Sequence, residues 1–255
     1  MGGARAALVI LAVCSAAPFA RAQNTVPLLR HVLPIDFARI QPFRRAYDVT
    51  VLSGDSTIII GQRDVVLREV LLADSSAGWL LTEARTGSVP STDSMFLAAD
   101  LRPVRWTSAL GASRLDVNFV ADSLRGAIHG PWGASTVSLA APPDLVLSGA
   151  MLELVVGSLP LSEGWADSVS VFSADVTGAD VSAAEIAVIG DAPPGPDPAS
   201  HPAWLVALRS EPRHVFLWVD KATGIAIRTQ QILPTHTGTM LEFRARAKAE
   251  VIPPR

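Results

Sequence analysis

Apolar and polar residues alternate one by one along much of the chain. Tyr47-Asp-Val-Thr-Val51 follows this pattern, and so does Arg114-Leu-Asp-Val-Asn-Phe119, where Leu115, Val117 and Phe119 share one face. Near the C-terminal end, Leu241, Phe243 and Ala245 stand opposite Glu242, Arg244 and Arg246. A period of two sends successive side chains to opposite faces of a strand, one dry and one wet. Turn residues recur at short intervals: Ser53-Gly-Asp55, Ser76-Ala-Gly78, Arg85-Thr-Gly87, Leu110-Gly111, Trp132-Gly133, Thr177-Gly178 and Thr223-Gly224. Strands joined by tight turns predict an antiparallel meander, as a sandwich or barrel.

One segment departs from alternation. After Pro142-Pro-Asp144 comes Leu145-Val-Leu-Ser-Gly-Ala-Met-Leu-Glu-Leu-Val-Val156, followed by Gly157. Leu147, Met151, Leu154 and Val155 fall at helical spacing. Asp144 or Ser148 is placed to cap the start and Gly157 to end the helix. Leu152 and Val156 make the opposite face apolar, and Glu153 is the only charge. A helix apolar almost all round is buried on more than one side, so the spacing predicts a helix packed against the concave face of the sheet. A buried strand is the alternative.

Some strands are apolar on both faces. In Arg213-His-Val-Phe-Leu-Trp-Val219, Val215, Leu217 and Val219 share one side, while Phe216 and Trp218 share the other with His214. Trp204-Leu-Val-Ala-Leu208 is similar. Such strands are buried on both sides, either as plain core or with one face lining a cavity for an apolar guest. The candidate cavity-lining residues are Met151, Leu154, Val155, Trp204, Phe216, Trp218 and Phe119.

The first residues predict an export signal, residues 1–22. Arg5 supplies positive charge, Ala6 to Ala17 is an apolar core too short to span a bilayer, and Ala20-Arg-Ala22 marks a cut before Gln23. Leu11-Ala-Val-Cys14 has a partial lipobox pattern, with Val13 where a small residue is usual. Lipidation at Cys14 would make the product an outer-membrane lipoprotein; removal with the signal leaves no cysteine and no disulfide. Residues 23–42 are expected as an irregular arm and 43–255 as a single β domain. The proline-rich segment 191–202 is a stiff loop inside it.

Charge and motifs narrow the chemistry. The formal net charge is −3. Without Arg5 and Arg21, 19 basic residues face 24 acidic ones, a net charge of about −5. No basic cluster tracks a phosphate backbone, so nucleic acid is not expected as a partner. No apolar run after the signal is long enough for a transmembrane span. Gly54-Asp55-Ser56 follows a β-like run in the manner of a GDSL hydrolase nucleophile. A nucleophile elbow needs a helix after the serine, whereas Thr57-Ile-Ile-Ile60 favours a second strand, and no Asp-x-x-His pair follows to supply a base. Ser56 therefore reads as a hairpin corner, with the hydrolase as a minor alternative. The histidines at 31, 129, 201, 214 and 236 are scattered singly, which gives no metal motif and no cofactor expectation.

A series of short motifs carries a family resemblance. Ala46-Tyr-Asp-Val-Thr-Val51 and Ile60-Gly61 come first, then Ala99-Asp-Leu-Arg-Pro-Val104, Leu115-Asp-Val-Asn-Phe-Val120 and Leu124-Arg-Gly126. Leu159-Pro-Leu-Ser-Glu-Gly164, Trp218-Val-Asp-Lys-Ala-Thr-Gly224 and Ile227-Arg228 complete the order. From about Phe43 to Arg246 the chain resembles an exported bacterial domain-of-unknown-function family (number 3108), related in fold to the LolA/LolB lipoprotein carriers. The resemblance implies a mainly β fold. A strongly curved antiparallel sheet, an open and unclosed β-barrel, holds one apolar helix in its concave face. It also implies a periplasmic location in a Gram-negative envelope. No cavity-gating arginine of the carriers maps onto this sequence.

These readings lead to a non-enzymatic periplasmic protein that binds a lipid, acyl chain or lipoprotein in an apolar cavity. The alternative is an envelope scaffold or assembly module that meets an envelope protein and takes no small ligand.

Overall fold

The structure is a computed structural model that describes residues 32–88, 90–131, 133–175, 178–192, 202–210, 213–232, 239–246 and 250–252. The expectations for the signal segment, Cys14, His31, His201, His236 and most of the proline-rich loop lie outside these residues. A first run of strands comprises β1 (Phe43–Ser53), β2 (Ser56–Leu71), β3 (Ala77–Gly87), β4 (Ser91–Ala98), β5 (Pro103–Leu110), β6 (Ser113–Val120), β7 (Ser123–Gly130) and β8 (Gly133–Ala140). Then come β9 (Leu145–Leu147), helix α1 (Ala150–Gly157), β10 (Ala166–Asp175), β11 (Gly178–Ala192) and β12 (Ala203–Ser210). The second run ends with β13 (Arg213–Asp220), β14 (Ala226–Ile232), β15 (Met240–Ala245) and β16 (Glu250–Val251).

All strands join one sheet in the order β8-β7-β6-β5-β4-β3-β2-β1-β15-β14-β13-β12-β11-β10-β9, with β16 paired to the start of β1. The chain thus starts mid-sheet, steps outward by hairpins to one edge, crosses to the other edge and steps back until β15 meets β1. Pairings are antiparallel except β9 with β10. Laid flat, the path would span about 67 Å at about 4.8 Å per strand. Yet only Ala141 to Asp144 separate β8 from β9, and from Ala140 to Leu145 the chain reaches at most about 17 Å. The sheet has to curl until its edges are neighbours. It does so without closing: β8 lies against β11 and β5 against β9, but β8 and β9 do not pair. Register shifts at Val49/Thr50, Phe96/Leu97, Val188/Gly190 and Trp218/Val219 mark bulges, which sharpen bending and twist.

The curl brings inward faces together as the core. Trp106 and Phe119 meet the Phe172 ring edge-on at 5.6 and 6.0 Å. Helix α1 touches β9, which pairs with the Phe172 strand, and also β3, β13 and β14. The fold is therefore mainly β, as the alternation predicts, and the curved, unclosed sheet with an internal helix is the form that the family resemblance implies. The helix itself is shorter than its periodicity suggests. Leu145–Leu147 is an edge strand, because it pairs with Ser170–Phe172. Asp144 does not cap α1; its carboxylate accepts from the Ser170 backbone N–H at 2.9 Å and from the Ser170 hydroxyl. Gly149, at φ +79°, turns the chain into α1 without a side-chain cap.

Residues 32–42 carry no strand, only a 3-10 turn at Phe37–Arg39. This arm is fastened to the barrel end. Leu33 and Ile40 are buried, the Asp36 N–H donates to the Ser158 carbonyl at 2.7 Å, and the Ile252 N–H donates to the Pro42 carbonyl.

Candidate functional site

Two polar features break the apolar interior. The first is an ion cluster between helix and sheet. Arg63 on β2 has 1% of its surface exposed. Its guanidinium donates to both Glu153 carboxylate oxygens on α1, at 2.8 and 3.0 Å, and to Glu83 on β3 at 2.9 Å. Thr229 on β14 donates its hydroxyl to Glu153 at 2.9 Å. Glu83 also accepts from Arg85 Nε at 2.6 Å and from the first helical N–H, that of Ala150, at 3.2 Å. A carboxylate at a helix start also suits the helix dipole. Arg63 lies over the rings of Tyr47 and Phe243, at 5.2 and 4.9 Å from the centroids.

Burial bears on Glu83, Arg63 and Tyr47. It alone would push the Glu83 carboxyl up, but Arg63 and then Arg85 outweigh it and hold the pKa at about 2. Burial opposes the charge on Arg63, while Glu153 and Glu83 raise its pKa above the ordinary arginine value. Tyr47 is pushed up by burial and then by the Glu153 charge, so its phenol stays protonated and donates to the Ala226 carbonyl at 2.8 Å. Arg63, Glu153, Glu83 and Thr229 hydrogen-bond to one another across helix and sheet, a pattern that pins α1 to the sheet.

The second feature is a pocket of about 420 Å³ at the barrel end where β1 begins. Its walls include Phe43 and Arg45 of β1, Leu154 and Gly157 of α1, Ile225 beside the β13–β14 turn, Arg39 of the arm and Val251 of β16. The turn is set by Asp220, whose Oδ1 accepts from the N–H groups of Ala222 and Thr223 and from the Thr223 hydroxyl, at 2.9, 2.7 and 3.0 Å. Gly224, at φ +70°, then lies directly on the helix end. A Cβ on Gly157 would stand 1.7 Å from the Gly224 carbonyl oxygen, and one on Gly224 2.4 Å from that of Gly157.

Arg45 and Asp220 both line the pocket, at 4% and 3% exposure. Burial presses the Arg45 pKa below its ordinary value, against the opposing effects of Tyr47 and Asp220. A smaller space shares Phe43, Leu154, Gly224 and Ile225 with the pocket and reaches Tyr47 and Glu153. The pocket floor therefore faces the ion cluster.

The seven candidate lining residues do not converge. Leu154 lines the large pocket. Met151 and Val155 are buried in the core on the same helix, and the Met151 sulfur accepts from the Leu147 N–H at 3.4 Å. Phe119 belongs to the aromatic contact with Phe172 and does not line the pocket. Trp204 packs on the core at the start of β12, with Lys221 Nζ 3.5 Å from its ring centre. Phe216 and Trp218 lie on the other face of β13 from the buried Leu217 and Val219, and Arg228 stacks on Trp218 at 4.5 Å. That face is half-buried rather than covered by a second layer, a correction to the two-sided burial expected of β13. Ser56 is the first residue of the 16-residue strand β2, paired with Ser53 across Gly54-Asp55, and the strand continues where an elbow would have a helix.

No family model matches the chain, and no curated protein does either. Among solved structures, the chain is similar to a Brucella abortus protein described as a beta-barrel-like protein of domain of unknown function DUF1849. The TM-score is 0.54 at 13% identity, over 84% of this chain and 99% of that one. This likeness shows the fold: a β-barrel-like domain. The MucA/MucB complex structure from Pseudomonas aeruginosa aligns over 86% of this chain and 55% of that chain, at 10% identity and a TM-score of 0.28, which does not mark a shared fold.

Arg45, Asp220 and the ion cluster were not singled out as site residues by the sequence patterns. The signal for the cluster is a charge in phase with an apolar face, as in Arg63-x-Val65-x-Leu67 and Leu81-x-Glu83. Among the described residues, no group of three or more histidine, cysteine, aspartate or glutamate side chains is placed to hold a metal ion. No helix there is long and apolar enough to cross a membrane. The pocket is concave and mostly apolar, with a buried guanidinium, Arg45, and a buried carboxylate, Asp220, in its wall.

Proposed function

We propose that this protein is a non-catalytic binding protein of the bacterial envelope that holds an apolar or amphipathic guest in the pocket at the barrel end. The observation that carries this reading is the pocket itself: about 420 Å³, walled by Phe43, Leu154, Ile225 and Val251. Its volume lies in the range of small-molecule sites, roughly 300–1,000 Å³. Each methylene buried there contributes about 0.8 kcal/mol, so a single chain binds without covalent chemistry. Apart from a space of about 20 Å³ beside Tyr47 and Glu153, the region between α1 and the sheet is filled by Met151, Val155, Val156 and the ion cluster. The guest therefore sits at the barrel mouth rather than along the helix. The envelope location rests on the export-like first 22 residues.

The test is native mass spectrometry and lipid extraction on protein isolated from an envelope fraction. A guest is expected, and Ile225→Trp, which fills the pocket, is expected to remove it. Repeated isolation with no guest would sink the reading.

A second reading, an assembly module, is favoured by one observation. Ile58 and Ile59 near the β1–β2 turn are 61% and 69% exposed, and consecutive strand residues face opposite ways. If that reading holds, crosslinking in the envelope traps a protein at this hairpin, and substituting both isoleucines by serine abolishes the trap.

A further inference from the structure

The two edges of the sheet are finished differently. Strand β9 is three residues long, follows Pro142-Pro143 and leads into α1, and the Asp144 carboxylate takes the Ser170 N–H beside it. Short strands, prolines and covering groups are the devices that blunt an edge against pairing. Strand β8 carries none of them. Gly133-Ala-Ser-Thr-Val-Ser-Leu-Ala140 is eight residues long, holds no charge and no proline, and pairs with β7 without a register shift.

The hairpin fixes which groups face the open side. Gly130 and Gly133 close a two-residue turn, and the Ala141 N–H donates to the Asp122 carbonyl at 2.9 Å. Odd-numbered residues from 133 to 141 therefore bond to β7. The alternation of an antiparallel ladder turns the N–H and C=O of Ala134, Thr136, Ser138 and Ala140 the other way. These are eight backbone groups, and among the described residues no hydrogen bond uses them. The side chains of the same four residues are exposed. β11 lies against β8 but does not pair with it.

A row of unpaired amide groups is matched by another extended chain, and β8 is complementary to itself. In an antiparallel register centred on Val137, Ala134 faces the second copy's Ala140, and Thr136 faces the second copy's Ser138. Every outward N–H and C=O on both strands then has a partner. The facing side chains are small, and threonine opposite serine adds a side-chain hydrogen bond. Arg125 is the cation that flanks this row, beside Ser138 on β7. In this register the two copies of Arg125 stand about 16 Å apart, twice the screening length of about 8 Å. No like charge opposes the contact.

We infer that β8 is a self-association edge: two copies of this chain pair antiparallel through Ala134 to Ala140, about a two-fold axis at Val137, and join their sheets. One pair of strands covers less than the roughly 1,200 Å² of a standard stable interface, so the dimer forms in a concentration-dependent way. The inference rests on the strand edge alone, and neither the pocket nor the Ile58–Ile59 hairpin enters it.

The experiment is sedimentation velocity on the full chain from about 1 μM to about 1 mM. The unaltered protein is expected to pass from monomer to dimer over this range. Thr136→Pro removes an outward N–H that the barrel itself does not use, a place where an edge strand tolerates proline. It is expected to weaken association at least about tenfold. Thr136→Lys with Ser138→Lys sets lysine against lysine across the axis and should weaken association by a similar factor. Thr136→Lys with Ser138→Glu sets each lysine against the other copy's glutamate and should restore the dimer. A monomer at every concentration overturns the inference. So does a dimer that survives in the double-lysine variant with its fold intact by circular dichroism, or equal behaviour of the two charge variants. Crosslinking from position 136 in the envelope that traps another protein and never a second copy overturns the choice of occupant. If Thr136→Pro does not fold, the two charge variants decide.

Discussion

Arg63 and Glu153, ninety residues apart in the chain, are joined inside the barrel by two hydrogen bonds of 2.8 and 3.0 Å from one guanidinium nitrogen. The pair ties the helix to β2, and each charge is buried with the other as partner. Removing one partner strands the other in a dry interior, which costs about 3–5 kcal/mol. Arg63→Met strands both Glu153 and Glu83 and is expected to cost at least that much in urea unfolding. Glu153→Met should destabilise too, and the double variant should lose clearly less than the two single losses combined. Additive losses would mean that the two side chains do not meet in solution.

Glu83 gives the pH dependence a sign. Its folded pKa is held at about 2, below the ordinary carboxylate value of 4.5. A carboxyl whose pKa is depressed by folding contributes stability that is fully present above its unfolded pKa. That contribution is lost as pH falls toward the folded pKa. The window is therefore pH 4.5 down to 2, and the difference corresponds to a loss on the order of 3 kcal/mol. Thermal melts across this window should show the protein losing stability steeply, and Glu83→Gln should flatten the slope from a lower starting point. An unchanged slope in Glu83→Gln would place the acid sensitivity elsewhere.

How far the molecule was legible from its residues differs by element. Alternation at Arg114–Phe119 and Leu241–Arg246 located strands, and the tight turns pointed to an antiparallel meander. The polar face of the second strand is not fully wet, because Glu242 is buried among Arg228, Gln230 and Arg244. The helix was found through Met151, Leu154 and Val155 but overextended through Leu147. A three-residue apolar run reads equally as helix or edge strand, and pairing with β10 decided it. Glu153 stood out as the single charge on an apolar helix. Its partner did not, because nothing local links positions 63 and 153. Phe216 and Trp218 illustrate the opposite failure. Their apolar face suggested burial, whereas both are half-buried and Arg228 stacks on Trp218. The pocket was not legible at all, since it forms where the arm, the helix end, the β13–β14 turn and β16 meet, four segments far apart in sequence.

Asp220 is predicted to act through its turn. Its Oδ1 satisfies two backbone N–H groups and one hydroxyl. Asp220→Ala leaves those donors without the carboxylate and should cost about 1.5–3 kcal/mol. Asp220→Asn keeps an acceptor oxygen and should recover part of the loss. Urea midpoints for the two variants test this, and equal loss in both would assign the effect to charge rather than to the turn.

Gly157 offers the sharpest sign test. In an ordinary exposed helix position, glycine to alanine stabilises by about 1 kcal/mol. Here the added Cβ would meet the Gly224 carbonyl oxygen at 1.7 Å, a backbone atom that no side-chain rotation can move away. Gly157→Ala should therefore destabilise, by about 1–3 kcal/mol if the turn shifts to accommodate it. Gly224→Ala should be worse, since the contact at 2.4 Å is compounded by a φ of +70°. Gly54→Ala is the control: its φ is +56° but nothing lies within 4 Å, so only the left-handed backbone, about 1–2 kcal/mol, is at stake. At about 2–4 °C per kcal/mol for a domain of this size, melting temperatures resolve the order. Gly224→Ala should melt lowest, and Gly157→Ala below the unaltered protein. A higher Tm for Gly157→Ala would mean that the helix end does not rest on the β13–β14 turn, and the pocket built on that contact would go with it.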